Sequence, residues 1–165
     1  MAGRGLDVGS STGGFTQVLL ARGCDEVVAL DVGTAQLVAS LRADPRVLVR
    51  EQVNVRDLTL DHVGRRPVDL VVADVSFISL RLVIPPVARV VRPGGWALLM
   101  VKPQFEVGRG GLDTHGVVTD RHLQEEAVAG VVDAASAVGW REEWRGESPL
   151  PGASGNREFF VKFAV

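Results

Sequence analysis

Apolar runs at Gly5–Val8, Glu26–Asp31, Val47–Val53, Val68–Asp74 and Trp96–Lys102 are short, rich in valine and free of polar alternation. Strands buried on both faces of a parallel sheet read in this way. Helical patterns separate the runs: Phe15, Val18, Leu19 and Arg22; then Gln36–Ala43; then Leu80–Val91. The alternation predicts β-α-β-α units with right-handed crossovers. "RPGG" (Arg92–Gly95) predicts the stop of the helix that starts at Leu80.

Beyond Lys102 the pattern changes. Pro103–Asp120 holds several glycines, a proline and no clear period, which predicts a long surface loop that serves as a lid. Asp120 then caps a predicted helix with Leu123, Ala127, Val128, Val131, Ala135 and Val138 on its apolar face and Gly139 as its stop. "WREEWRGES" and "REFFVKFAV" read as two closing strands joined by the turn Pro149–Asn156, hence an antiparallel pair. A mostly parallel, Rossmann-like α/β sheet with an antiparallel last strand resembles the class I methyltransferase arrangement. A dehydrogenase more commonly continues with parallel units. With 165 residues, the chain is expected to form one domain, 1–165.

Candidate chemistry gathers at the predicted carboxyl ends of the strands, where open α/β sheets bind ligands. Leu6-Asp7-Val8-Gly9 leads into a glycine turn, Gly9-Ser10-Ser11-Thr12-Gly13-Gly14, followed by Phe15. The spacing is not G-x-G-x-x-G, which weakens a pyrophosphate reading. Asp31, followed by Val32, ends the second run and can accept hydrogen bonds from two ribose hydroxyls. Asp7 offers a carboxylate for a cationic amino group. The two together favour S-adenosylmethionine over a nicotinamide nucleotide. Asn54 and Val55 follow the third run, where an adenine ring would lie.

Asp74 and Lys102 end the fourth and fifth runs, and Glu158 opens the last strand. An antiparallel closing strand begins at the edge where parallel ones end, so the three are expected to converge beside the glycine turn. An ionisable group ending an apolar strand needs a partner or a purpose. A lysine near an alcohol can take its proton or stabilise the alkoxide. Flanked by two carboxylates, Lys102 serves better as an electrostatic stabiliser than as a base.

The net charge of −2 carries no global attraction to nucleic acid, although eighteen Lys and Arg residues can still form a local patch. The lone Cys24 excludes an internal disulfide, and His62, His115 and His122 lack the spacing of metal ligands. No metal is expected. No apolar run approaches a membrane span or a signal peptide, so a cytoplasmic protein is expected.

The motifs "LDVGSSTGGFTQVLLARG", "ALDVGTAQL", "DLVVADVSFISL", "VKPQFEVGRG" and "PLPGASGNREFF" together resemble the TlyA-type, haemolysin A-like ribosomal RNA 2′-O-methyltransferases of the FtsJ/RrmJ group. The resemblance covers essentially the whole chain. It implies methyl transfer from S-adenosylmethionine to the ribose 2′-hydroxyl of a cytidine in ribosomal RNA. The family's Lys-Asp-Lys-Glu tetrad falls on Asp74, Lys102 and Glu158. The cofactor glycines fall on Gly9, Gly13 and Gly14, and the ribose carboxylate on Asp31. The tetrad's first lysine and the amino-terminal S4-type RNA-binding domain have no counterpart here, and Arg4 is in the wrong place to replace that lysine. An excised catalytic domain, a mis-called start and a degenerate paralogue all fit these departures, the first two better. The alternatives are a non-catalytic S-adenosylmethionine- or rRNA-binding domain and a small-molecule O-methyltransferase.

Overall fold

In the computed structural model, which describes residues 3–165, seven strands form one sheet in the order β3-β2-β1-β4-β5-β7-β6. They span Arg4–Val8 (β1), Glu26–Leu30 (β2), Val47–Arg50 (β3), Val68–Ala73 (β4), Val91–Val101 (β5), Arg141–Glu147 (β6) and Phe159–Ala164 (β7). β1 to β5 are mutually parallel, and β7 runs antiparallel between β5 and β6. Helices α1 (Gly14–Ala21), α2 (Ala39–Arg42), α3 (Leu80–Ala88), α4 (Pro103–Glu106) and α5 (Arg121–Ala137) connect them.

The central strands are apolar on both faces because helices cover both. Leu6, Val8, Val28, Val71, Leu99 and Val101 pack with Val83, Ile84 and Val87 of α3 and with Val128 and Val131 of α5. Leu70 and Val72 join Leu19, Leu20, Cys24 and Val27 in a second cluster near α1. Asp120 caps α5 by accepting a bond from the His122 amide at 2.8 Å, and Gly139 ends it with φ +88°. The edge strand β6 alternates Arg141, Glu143, Arg145 and Glu147, charges that oppose edge-to-edge pairing.

Four expectations need correction. "RPGG" is not a helix stop. α3 ends at Ala88, and Val91–Gly95 belong to β5. Val91 pairs with Val68, an Arg92–Asp69 ion pair holds the next residue, and Gly94 (φ +80°) absorbs the bulge before Trp96 meets Leu70. The helix expected over Gln36–Ala43 shrinks to the single turn of α2. β3 stops at Arg50 because Gln52 turns left-handed, φ +58°. Within Pro103–Asp120 lie α4 and a 3-10 turn, Arg109–Gly111. Glu106 anchors this segment: its carboxylate accepts bonds from Ser79 Oγ at 2.5 Å and the Leu80 amide at 2.7 Å.

Candidate active site

The carboxyl ends of the parallel strands form one rim. β1 ends at Val8, and the Gly9 and Ser10 amides both donate to the Leu30 carbonyl, at 2.9 and 3.1 Å. The turn therefore folds toward β2. A side chain on Gly9, whose φ is +82°, would collide with the Asp74 carbonyl oxygen. One on Gly13 (φ +108°) would collide with Leu41. Gly14 instead faces open space. Two of the three glycines thus answer the chain's own packing, and the third leaves room for something else.

Asp31 closes the turn from the other side. Its Oδ2 accepts from the Ser11 amide at 2.8 Å and its Oδ1 from the Gly33 amide at 2.7 Å. Beside it opens a cavity of about 720 Å³ whose walls include Ser11, Asp31, Val32, Asn54, Val55 and Asp74. A smaller one of about 330 Å³ has Ser10, Gly14, Phe15 and Asp74 in its walls. Both have Gly9 and Ser11 in common, and the larger has the size of a small-molecule site. The Asn54 side-chain oxygen accepts from the Arg56 amide at 3.0 Å, fixing the 3-10 turn Val55–Asp57 against the cavity.

Asp7 lies beneath this surface, fully buried and in neither wall. Its Oδ2 accepts from Thr16 Oγ1 at 2.6 Å, while Oδ1 has no partner among the described residues. Burial pushes its carboxyl up to about 6; the Thr16 bonds oppose the rise, and the charges of Asp74 and Asp31 add to it.

The three rim residues do converge. Lys102 Nζ lies 2.6 Å from Asp74 Oδ1 and 3.2 Å from Ser76 Oγ. Pairing of Val101 with Phe159 brings Glu158 to the same place. Glu158 is only 8% exposed. Burial raises its carboxyl above the ordinary glutamate range, Lys102 pulls it back, Asp74 raises it, and a hydrogen bond from Gln104 lowers it. A cation between two carboxylates, one half-buried and one buried, can orient a hydroxyl and stabilise its anion. Arg4 sits at the opposite end of β1, ion-paired with Glu26 and donating to the Val63 carbonyl at 2.7 Å.

Several residues at the rim escape sequence reasoning. Ser76 and Gln104 are two, and the buried Thr16 lies beneath them with Asp7. Phe77 is another: 92% exposed, left-handed at φ +65°, and 5.2 Å from the Phe105 ring centre. Its only sequence signal is its place just after Asp74, since phenylalanine does not favour that backbone. Among the described residues, no group of three or more His, Cys, Asp or Glu could hold a metal, and no helix is long and apolar enough to cross a membrane. Cys24 is buried.

This strand order, with a glycine turn after β1, an aspartate after β2 and an antiparallel β7, defines a methyltransferase of the α/β class. The chain belongs to the FtsJ-like methyltransferase family, whose model matches residues 2–164. It is 51% identical over 158 residues to the 16S/23S rRNA (cytidine-2′-O)-methyltransferase TlyA of Mycobacterium tuberculosis, covering 96% of this chain and 59% of that protein. It is 37% identical over 160 residues to Hemolysin A of Brachyspira hyodysenteriae, covering 97% and 67%. A Lactococcus lactis structure described as a hemolysin superposes with a TM-score of 0.94 at 39% identity, over 98% of this chain and 77% of that one. A SAM-dependent methyltransferase from Methanosarcina mazei, 15% identical, shares the fold with a TM-score of 0.67, over 98% and 92%. The chain spans less than two thirds of the TlyA sequence it matches.

Proposed function

We propose that this domain transfers a methyl group from S-adenosylmethionine to a ribose 2′-hydroxyl of ribosomal RNA, at a cytidine as in the TlyA relatives. The observation that carries the reading is the Asp74–Lys102 pair with Glu158 beside it, at the edge of the glycine-turn cavity. Such a cluster suits orientation of an alcohol and stabilisation of the negative charge that develops on its oxygen.

The residues present fit the cofactor. Asp31, in the cavity wall, would accept ribose hydroxyls, and Val32, Asn54 and Val55 in the same wall would border an adenine. Gly14 leaves open space, and the unpartnered Asp7 Oδ1 supplies a buried negative charge suited to a nearby amino group. When bound, S-adenosylmethionine supplies an electrophilic methyl group on its sulfonium. Asp74 fixes the Lys102 ammonium, which orients the ribose hydroxyl and stabilises its developing negative charge. Glu158 holds the other side of that lysine. The exposed Phe77, backed by Phe105, offers a ring on which an unstacked base can rest.

The test is transfer of tritiated methyl from S-adenosylmethionine to unmodified ribosomal subunits, with the 165-residue chain and with a longer form carrying the upstream segment of the family. Methylation at a ribose supports the reading. Labelling of small alcohols but not of subunits by the longer form would overturn it.

A further inference from the structure

Asn156 lies in the loop between β6 and β7, two residues before Glu158, and is only 3% exposed. Its side chain reaches a segment about forty residues earlier in the chain. Oδ1 accepts from the Val118 amide at 3.0 Å, and Nδ2 donates to the Gly116 carbonyl at 3.1 Å. Its own carbonyl accepts from the Gly152 amide at 2.8 Å. Val118, also buried, accepts at its carbonyl from Gln124 Nε2 at 2.7 Å, which ties the junction to α5. One amide therefore joins the end of the Pro103–Asp120 segment to the turn that precedes β7.

That turn roofs Glu158. A side chain on Gly152 would collide with the Glu158 carboxylate, so backbone lies directly against it. The Ser148 amide donates to the Glu158 main-chain carbonyl at 2.8 Å, which extends the β6–β7 pairing to the residue itself. The groups facing the carboxylate are Lys102 from the end of β5, Asp74 from the end of β4 and the Gln104 amide from α4. The neighbouring Arg157–Glu147 pair is exposed, with N and O 3.5 Å apart. A buried amide with both ends engaged holds its neighbours in one arrangement.

We propose that Asn156 is a positioning residue for the acceptor side of the site. By tying Gly152 and Val118 together, it seats Glu158 against Lys102 and keeps water from that carboxylate. The role rests on the reading of Glu158 as part of the methyl-acceptor cluster.

Two substitutions test it: Asn156→Ala, which removes both side-chain bonds, and Asn156→Ser, whose shorter side chain cannot span Gly116 and Val118 together. In carbon-13 glutamate-labelled protein, with the Glu158 signal assigned by its absence in Glu158→Gln, the carboxyl midpoint is followed by NMR. Both substitutions should lower it toward the ordinary glutamate range, while calorimetric affinity for S-adenosylmethionine stays within about twofold. In the longer form, turnover on ribosomal subunits should fall on the order of 10²-fold, with its pH profile displaced in the same direction. Should Asn156→Ala not fold, Asn156→Ser carries the test. An unmoved Glu158 midpoint in a folded variant overturns the positioning role, even where turnover falls. No methyl transfer by the unsubstituted longer form overturns the function reading instead, and the titration still registers whether Asn156 governs Glu158.

Discussion

Lys102 Nζ and Asp74 Oδ1 stand 2.6 Å apart across the ends of two adjacent parallel strands. The backbone fixes where both side chains start: β4 and β5 are paired up to Ala73 and Leu99, and the lysine side chain is 13% exposed. The pair therefore acts as one unit. In the longer form, Lys102→Ala should lower turnover by about 10²–10³-fold, as for loss of one preorganised donor, and spare cofactor affinity. Asp74→Ala should lower turnover similarly. The double substitution should cost far less than the product of the two losses. Near-normal methylation by Lys102→Ala would sink the mechanism while leaving the cofactor site intact.

Asp31 accepts two backbone amides and still presents its carboxylate to the larger cavity. Asp31→Ala should weaken S-adenosylmethionine binding by about 1–3 kcal/mol, since a charged acceptor for two hydroxyls is lost. Calorimetry on the 165-residue chain measures this directly. An unchanged affinity would place the ribose elsewhere.

Asp7 should make cofactor binding depend on pH. Its carboxyl is raised to about 6 in the folded protein, so folding favours the protonated form. The stability it contributes is complete at low pH and is lost as pH rises from about 4 to about 6, a cost of up to about 3 kcal/mol at neutral pH. A cationic ligand nearby reverses that preference. Affinity for S-adenosylmethionine should rise between pH 5 and 7, with proton release below pH 6. Asp7→Asn should flatten this dependence and raise the melting temperature of the unliganded protein at pH 7. Equal wild-type affinity at pH 5 and 7 would refute the coupling.

Phe77 is 92% exposed and stands in the wall of the larger cavity beside the rim. Phe77→Ala should raise KM for ribosomal RNA about 5- to 100-fold, the value of one lost stacked base, with little change in melting temperature. Steady-state kinetics at saturating cofactor decide the matter. A KM that stays put would leave the ring without a role in RNA binding.

Much of this architecture was legible because local and long-range preferences agree. Valine-rich runs, glycine turns and an aspartate cap announce the parallel strands and α5 without help from partners. Asp74, Lys102 and Glu158 could be placed together because strand direction alone fixes which edge each reaches. What escaped depends on contacts distant in sequence. Val91–Gly95 reads as a helix stop until Val68 and Asp69 pair with it. Asn156 reads as a turn residue until Gly116 and Val118 arrive to bury it. The left-handed Phe77 contradicts its own backbone preference, and strain of that kind gathers at functional sites.

The contact between Gly9 and the Asp74 carbonyl has a consequence of its own. The Asp74 amide also donates to the Val8 carbonyl at 3.0 Å, so the glycine turn and the Asp74 carboxylate are riveted along the same stretch of backbone. No hinge separates the half of the site that would present the methyl group from the half that would receive it. The reach between them is a dimension of the sheet, set when β1 and β4 pair. Adaptation to different acceptors must then come from the β5 and β7 side of the rim, where the loops are longer and the fastening is by side chains.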